Sequence, residues 1–357
     1  MPRRAPASLT LTHGLVKHAL QSWQAPKSKI QNRGALWATK IEVVHVFKPI
    51  GYSGLAALAL QALRVPWVLD VDDWEGPGGW ADVNPYSTAQ KLAATLLEAM
   101  LPRMAGAVTA ASRTLEARAW SFGLPRQRVF YVPNGVYRTK YASWAVGSQH
   151  AVPLRVRYNL SDSPVILLYT RFAEFPYWWP LDVLKYVLRE HPSAKLLVLG
   201  SGFFGEEHKL RTEAGRMGIA DRLVVTGRVA EADLPAHLAL ADVALYPMTD
   251  NLITRAKSPV KVLEPMVMGL PIVAHRVGQA AEFVGNAGVL VQPGDLRGMA
   301  EAVSALLKDE TSRKRIGDMA RQRVWAEFNW ERLTTVAERA YKVAMKTERR
   351  RPATTSL

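Results

Sequence analysis

The sequence predicts an α/β protein of two Rossmann-type, doubly wound domains that face a cleft, and three observations carry that prediction. The chain has 357 residues, 48% of them apolar, more than one hydrophobic core usually fills, so about two domains are expected. Short β-branched runs alternate with helix-length segments along nearly the whole chain, the pattern of parallel sheets with crossover helices. The second half alone carries six such runs, enough for a complete doubly wound sheet.

In the first domain, residues 1–151, strands are expected at Ile41 to Phe47, Pro66 to Val71, Gly106 to Ala110 and Arg128 to Val132. Ser53 before the apolar run to Leu63 reads as an N-cap, and Ser112 as another for a helix to Phe122. No strand followed by a glycine-rich turn is legible before Ile41, so this domain is expected to be abbreviated. The stretch Gly135 to Ser163 holds scattered charge, proline and serine without a sustained period and reads as the linker. In the second domain, residues 152–330, the runs are Val165 to Thr170, Ala194 to Leu199, Leu223 to Thr226, Val243 to Tyr246, Pro271 to Ala274 and Val289 to Val291. Residues 331–357 are expected to form a terminal helix, from Trp330 to about Lys346, and a basic disordered tail.

Forty-six Lys and Arg against 31 Asp and Glu leave a formal charge of +15, which favours partners that carry phosphate. No aromatic and basic groove motif accompanies the charge, so nucleic acid is not expected as a partner. The absence of cysteine excludes disulfide scaffolds, thiolate metal sites and cysteine nucleophiles, and fits the cytoplasm. The longest uncharged apolar stretch, Gly54 to Leu63, is about half of the ~20 residues that span a bilayer. Met1 to Lys48 carries eight Lys and Arg against Glu42 alone, interleaved with Trp23 and Trp37. That segment reads either as a solvated basic face or as a peripheral contact to an anionic membrane surface.

In open parallel sheets ligands gather beyond the carboxyl ends of the strands, which ranks Arg171 and Gly200-Ser201-Gly202 first. Lys257-Ser258-Pro259-Val260-Lys261 reads as a helix start, with Ser258 as N-cap, Pro259 in the first position and Gly269 as the stop. Free N–H groups and the helix dipole between Lys257 and Lys261 suit an anion. Glu264, held near the cleft, suits hydrogen bonds from vicinal hydroxyls. Asp70 and Asp72 alternate on one strand face, so a metal reading competes with capping and ion pairing; no metal or other cofactor is expected. His45 reads as facing either the core or the cleft, His275 after its strand is the other cleft candidate, and the remaining histidines lack the spacing of metal ligands.

These elements together resemble the family-four glycosyltransferases, the large "group 1" family of retaining, GT-B-fold enzymes that use nucleotide sugars. The resemblance rests on Leu167 to Phe172 with its arginine, Leu196 to Gly202, Val224 to Val229, Ala239 to Pro247 and Lys261 to Ala274. Asn134-Gly135-Val136 and Asn329-Trp330-Glu331 are similar to the same family. It implies that Arg171 meets the donor diphosphate and that Glu264, similar to the second glutamate of the paired-glutamate motif, meets the nucleotide ribose. It also implies that Gly227 and Arg228 approach the base, and that Asp72 stands where many members carry a histidine near the sugar. Two departures accompany it. Ala256 occupies the place of the first glutamate, and the usual lysine after the arginine is missing from Phe172 to Pro180, with Lys257 or Lys261 to supply that charge.

The expected function is retaining transfer of a sugar from a nucleotide-sugar donor to a hydroxyl acceptor, a free sugar or a lipid-linked or cell-envelope glycan. Arg171, Lys261 and Asp72 are the expected catalytic residues. Gly200, Gly202, Gly227, Arg228, Lys257, Ser258 and Glu264 are expected to bind the donor. A nucleotide-sugar epimerase of the same fold and a non-catalytic nucleotide-sugar-binding partner are the alternatives.

Overall fold

The computed structural model describes residues 41–141 and 151–349; the basic segment with Trp23 and Trp37 and the Thr/Ser tail lie outside the described residues. In the first lobe β1 (Val44–Phe47), β2 (Trp67–Val71), β3 (Ala107–Ala110) and β4 (Val129–Tyr131) pair in parallel in their sequential order. Helices Gly51–Ala62, Thr88–Met104 and Arg113–Ser121 make the crossovers. Ser112 caps the last of these, its hydroxyl accepting from Leu115 N–H. The first helix does not start from Ser53: it begins at Gly51, after Ile50, without a side-chain cap. There the backbone turns the chain, with Lys48 at φ 69° and Gly51 at φ 59°.

The second lobe is a six-stranded parallel sheet of β5 (Val165–Tyr169), β6 (Lys195–Leu199), β7 (Leu223–Gly227), β8 (Val243–Tyr246), β9 (Ile272–His275) and β10 (Val289–Val291). Its order is β10-β9-β8-β5-β6-β7, so the winding reverses between β5 and β8. Side-chain alternation explains the uninterrupted apolar runs. Val165, Leu167, Leu197 and Leu199 face one core, while Ile166, Leu168, Leu196 and Val198 face the other, and a sheet buried on both faces needs both sets.

The described parts of Gly135 to Ser163 do not form a solvated tether. They contain short helices Arg138–Tyr141 and Val152–Arg157, and Tyr141, Ala151 and Leu160 are buried in the core of the second lobe. The two asparagine motifs meet at this crossing: Val136 N–H donates to Phe328 O, and Trp330 N–H donates to Val136 O, at 2.9 and 3.1 Å. The terminal helix, Trp330–Arg349, runs three residues past its expected end and returns to the first sheet. Ala340 and Ala344 pack on Val68 and Ala107. Gly106 is required at this contact, since a Cβ there would lie 2.6 Å from Ala344 Cα. His45 ties the helix down through Nδ1, 2.9 Å from Tyr341 Oη, and sits with Nε2 3.2 Å from Thr109 Oγ1. It therefore serves the lobe's interior. Thr109 gives its one proton to Asp70, so its oxygen accepts from His45 Nε2 and leaves Nδ1 to accept from Tyr341.

Candidate donor site

A cavity of about 600 Å³ opens beyond the carboxyl ends of β5, β6 and β7. It gathers Arg171, Gly200, Gly202, Arg228, Lys261 and Glu264 from separate stretches of the chain, together with Lys140, Tyr169 and Glu231. Arg171 follows β5, beside the reversal of the sheet, and makes no salt bridge among the described residues. The next residue, Phe172, is buried with φ 58°, and its N–H donates to Thr170 Oγ1 at 2.7 Å. A bulky residue in the left-handed region costs on the order of 1–3 kcal/mol and persists where the surroundings over-determine it. Here it fixes the backbone that carries the guanidinium.

Gly200 accepts no other residue: its φ is 115° and a Cβ would overlap the Thr170 carbonyl oxygen. Its N–H donates to Gly227 O at 2.8 Å, so Gly227 holds the loop from behind and does not line the cavity. The Gly202 N–H already donates to Glu207 at 3.0 Å, which closes the turn.

Helix Val260–Val267 starts at the cavity and delivers Lys261 and Glu264 one turn apart. Burial, and next the Arg171 guanidinium, lower the Lys261 pKa; its ammonium lies 4.9 Å over the Tyr169 ring. Glu264 is 6% exposed. Its Oε1 accepts from Tyr141 Oη at 2.6 Å and from Lys140 Nζ at 3.3 Å. Gly269 ends the helix segment with φ 81°, as its type predicts.

Ser258 does not cap that helix. Its hydroxyl accepts from Asn134 N–H at 2.8 Å, and Asn134 Nδ2 donates to its carbonyl at 2.5 Å, so a tertiary partner replaces the local one. Lys257 points away from the cavity lining: its ammonium bonds Glu174 at 2.8 Å and lies 5.8 Å from the Trp80 ring. Ala256 is fully buried against the core of the first lobe, a place with no room for a solvated carboxylate. His275 ends β9 wholly buried, with Nδ1 within 3.0 Å of Met248 N and O and its ring edge-on to Trp179. That makes it a core residue of the second lobe.

Asp72 stands at the end of β2 in the other lobe and is not among the cavity-lining residues. Asp72, Asp73 and Glu75 bring one carboxylate oxygen each within 4.8 Å of one another, a grouping that could hold a cation. Lys48 already supplies one: its Nζ lies 3.5, 2.6 and 3.2 Å from the three. Asp70 is not part of that grouping and is bonded by Thr109 Oγ1 at 2.5 Å. Burial pushes its pKa up to about 6.

Lys140, Tyr169 and Glu231 are charged or polar cavity residues that sequence reasoning missed. Lys140 lies in a stretch read as linker. Tyr169 is the last residue of a strand, and that position was its available signal.

Two family models match the chain, one described as "Glycosyl transferases group 1" over residues 163–309 and one as "Glycosyl transferase 4-like domain" over residues 2–135. A GDP-mannose-dependent α-(1-6)-phosphatidylinositol monomannoside mannosyltransferase of Mycolicibacterium smegmatis is 30% identical over 256 residues, 69% of this chain and 64% of the relative. Its namesake from Mycobacterium tuberculosis is 30% identical over 231 residues, 62% and 57% of the two chains. The chain thus spans less than two thirds of the length of these relatives. Among solved structures, Anabaena HepE in complex with UDP and glucose aligns with a TM-score of 0.69 at 19% identity, covering 95% of this chain and 83% of that one. A glycosyltransferase from Rickettsia africae aligns with a TM-score of 0.69 at 13% identity over 97% and 85%. At such identities the likeness establishes the fold, GT-B. No helix among the described residues is long and apolar enough to cross a membrane.

Proposed function

The chain belongs to the group 1 glycosyltransferases, and we propose that it transfers a glycosyl group, with retention, from a nucleoside-diphosphate sugar held in the cavity to a hydroxyl acceptor. The observation that carries this reading is the polarity of the cavity. Arg171 and Lys261 stand at the mouths of β5 and of helix Val260–Val267, where a diphosphate would meet two cations and free helix N–H groups. Glu264 lies one turn further, where the vicinal hydroxyls of a ribose would donate to its carboxylate.

The chemistry such a site performs is electrostatic. Charge that develops on the departing diphosphate is met by groups already in place, in a partly enclosed cavity, and such preorganised stabilisation usually contributes more to rate enhancement than any other single effect. Lys261, half-desolvated beside Arg171, gains most when that charge appears. Gly200, Gly202 and Arg228 line the cavity where the rest of the nucleotide would lie, with Gly227 supporting them. Asp72, at the end of β2, is the proposed contact of the first lobe to the transferred sugar. The lipid acceptor named for the mannosyltransferase relatives supports a lipid-linked acceptor here as well.

Transfer from a panel of nucleotide sugars to soluble and lipid-linked acceptors tests the reading, with Glu264→Ala as its site-specific arm. A charged acceptor to hydroxyl bond is worth about 1.5–3 kcal/mol, so nucleotide affinity should fall roughly ten- to a hundredfold in calorimetry. Unchanged affinity in a folded variant removes Glu264 from the site, and sugar interconversion without acceptor replaces transfer by epimerisation.

A further inference from the structure

Tyr141 is 2% exposed and sits in the apolar core of the second lobe, yet its one polar side-chain atom is aimed at the cavity's carboxylate. Its hydroxyl donates to Glu264 Oε1 at 2.6 Å, across 123 residues of chain. A buried tyrosine hydroxyl needs a partner, and the oxygens of a carboxylate as enclosed as Glu264 need hydrogen-bond donors. Each satisfies the other. Lys140, the neighbouring residue, reaches the same oxygen at 3.3 Å and Glu231 at 3.0 Å. Its side chain is 23% exposed, so it is the replaceable donor of the set, with Glu231 to hold it when it leaves.

On the reading that Glu264 accepts from the ribose, we propose that Tyr141 is a positioning residue for donor recognition: it fixes one oxygen of Glu264, so that the carboxylate stands oriented for a vicinal diol. An incoming ribose then takes the place of the Lys140 ammonium, while the Tyr141 bond stays. The site accordingly selects ribonucleotide over deoxyribonucleotide donors, and it does so through a residue that itself touches no ligand. The crossover between the lobes thereby contributes to the donor site from its buried side.

The test is calorimetric binding of UDP and GDP, each against its 2′-deoxy counterpart, to the full chain and to Tyr141→Phe, Glu264→Gln and the double variant. The starting protein should prefer the ribonucleotide roughly ten- to a hundredfold. Tyr141→Phe should cut that preference by about three- to tenfold, and in the Glu264→Gln background it should cut nothing further, since coupling through one group is non-additive. A partly unfolded preparation lowers binding of both nucleotides alike and leaves their ratio intact, so the preference reports positioning and not stability. A preference in Tyr141→Phe equal to that of the starting protein overturns the role of Tyr141. A starting protein that binds nucleotide without any preference instead overturns Glu264 as the ribose acceptor.

Discussion

The carboxyl ends of the two sheets both follow parallel strands and carry opposite electrostatics. Beyond the second sheet, Arg171, Arg228, Lys261 and Lys140 face the two acids Glu231 and Glu264. Beyond the first, Lys48 faces Asp72, Asp73 and Glu75. The difference teaches that position after a parallel strand aims a side chain, while its neighbours decide whether its charge is available. Arg171 has no salt bridge among the described residues, so its field is directed at whatever enters the cavity. The carboxylates of the first lobe share one ammonium and are partly neutralised before any ligand arrives.

The comparison breaks most visibly at Arg171. Arg171→Ala should lower turnover roughly 10²–10³-fold, while calorimetry of the nucleoside diphosphate shows a smaller loss, because the cation meets charge that grows as the sugar leaves. Equal losses in turnover and affinity would make Arg171 a binding residue only.

At the other end, the sharper probe is Asp70, bonded by Thr109 and buried beside Asp72. Its folded pKa, about 6, lies above the ordinary 3.8. The protonated form is therefore favoured by folding: the stabilisation is fully present below pH 3.8 and lost as pH rises through 6. Asp70→Asn mimics that form and keeps an acceptor for Thr109. It should raise stability by about 1–3 kcal/mol at a pH of about 7.5 and by little near pH ~4, read from melting temperature against pH. A variant that is no more stable on the alkaline side would show that the ionised carboxylate is well solvated or paired.

The smallest expected effect is none at all. Lys48 already provides the positive charge among Asp72, Asp73 and Glu75, and on the proposed reading the diphosphate would be met by the cavity's cations, so turnover should survive chelation by EDTA. Loss of activity restored by manganese would mean that the first-lobe carboxylates release Lys48 and hold metal.

Much of this was legible in the chain. The strands of the second lobe fall within a residue or two of their expected bounds, because burial on both faces makes the inner ones nearly unbroken apolar runs. Arg171, Lys261 and Glu264 followed from strand ends and a helix start. What escaped was decided by partners far away in sequence. Ser258 is claimed by Asn134, Lys257 by Glu174, and the supposed linker folds inward because Tyr141 and Leu160 have a core to enter. Local propensity cannot see such partners. The helix Thr88–Met104, with its capping box of Ser87 and Gln90, was visible in principle as a serine three residues before a glutamine.

The return of the terminal helix sets a timetable for the ribosome. The last strand of the first sheet ends at Tyr131, but Ala340 and Ala344, which cover the face of Val68 and Ala107, are made about 200 residues later. At ~5–20 residues per second, the nascent first lobe waits on the order of 10–40 s with that face uncovered. The second lobe, whose six strands lie within 165–291, is synthesised during this interval. Its sheet can therefore close before the earlier one is sealed, a reversal of the usual vectorial order. A translation pause or nonsense codon shortly before Tyr341 would leave an exposed sheet face as a substrate for chaperones and proteases.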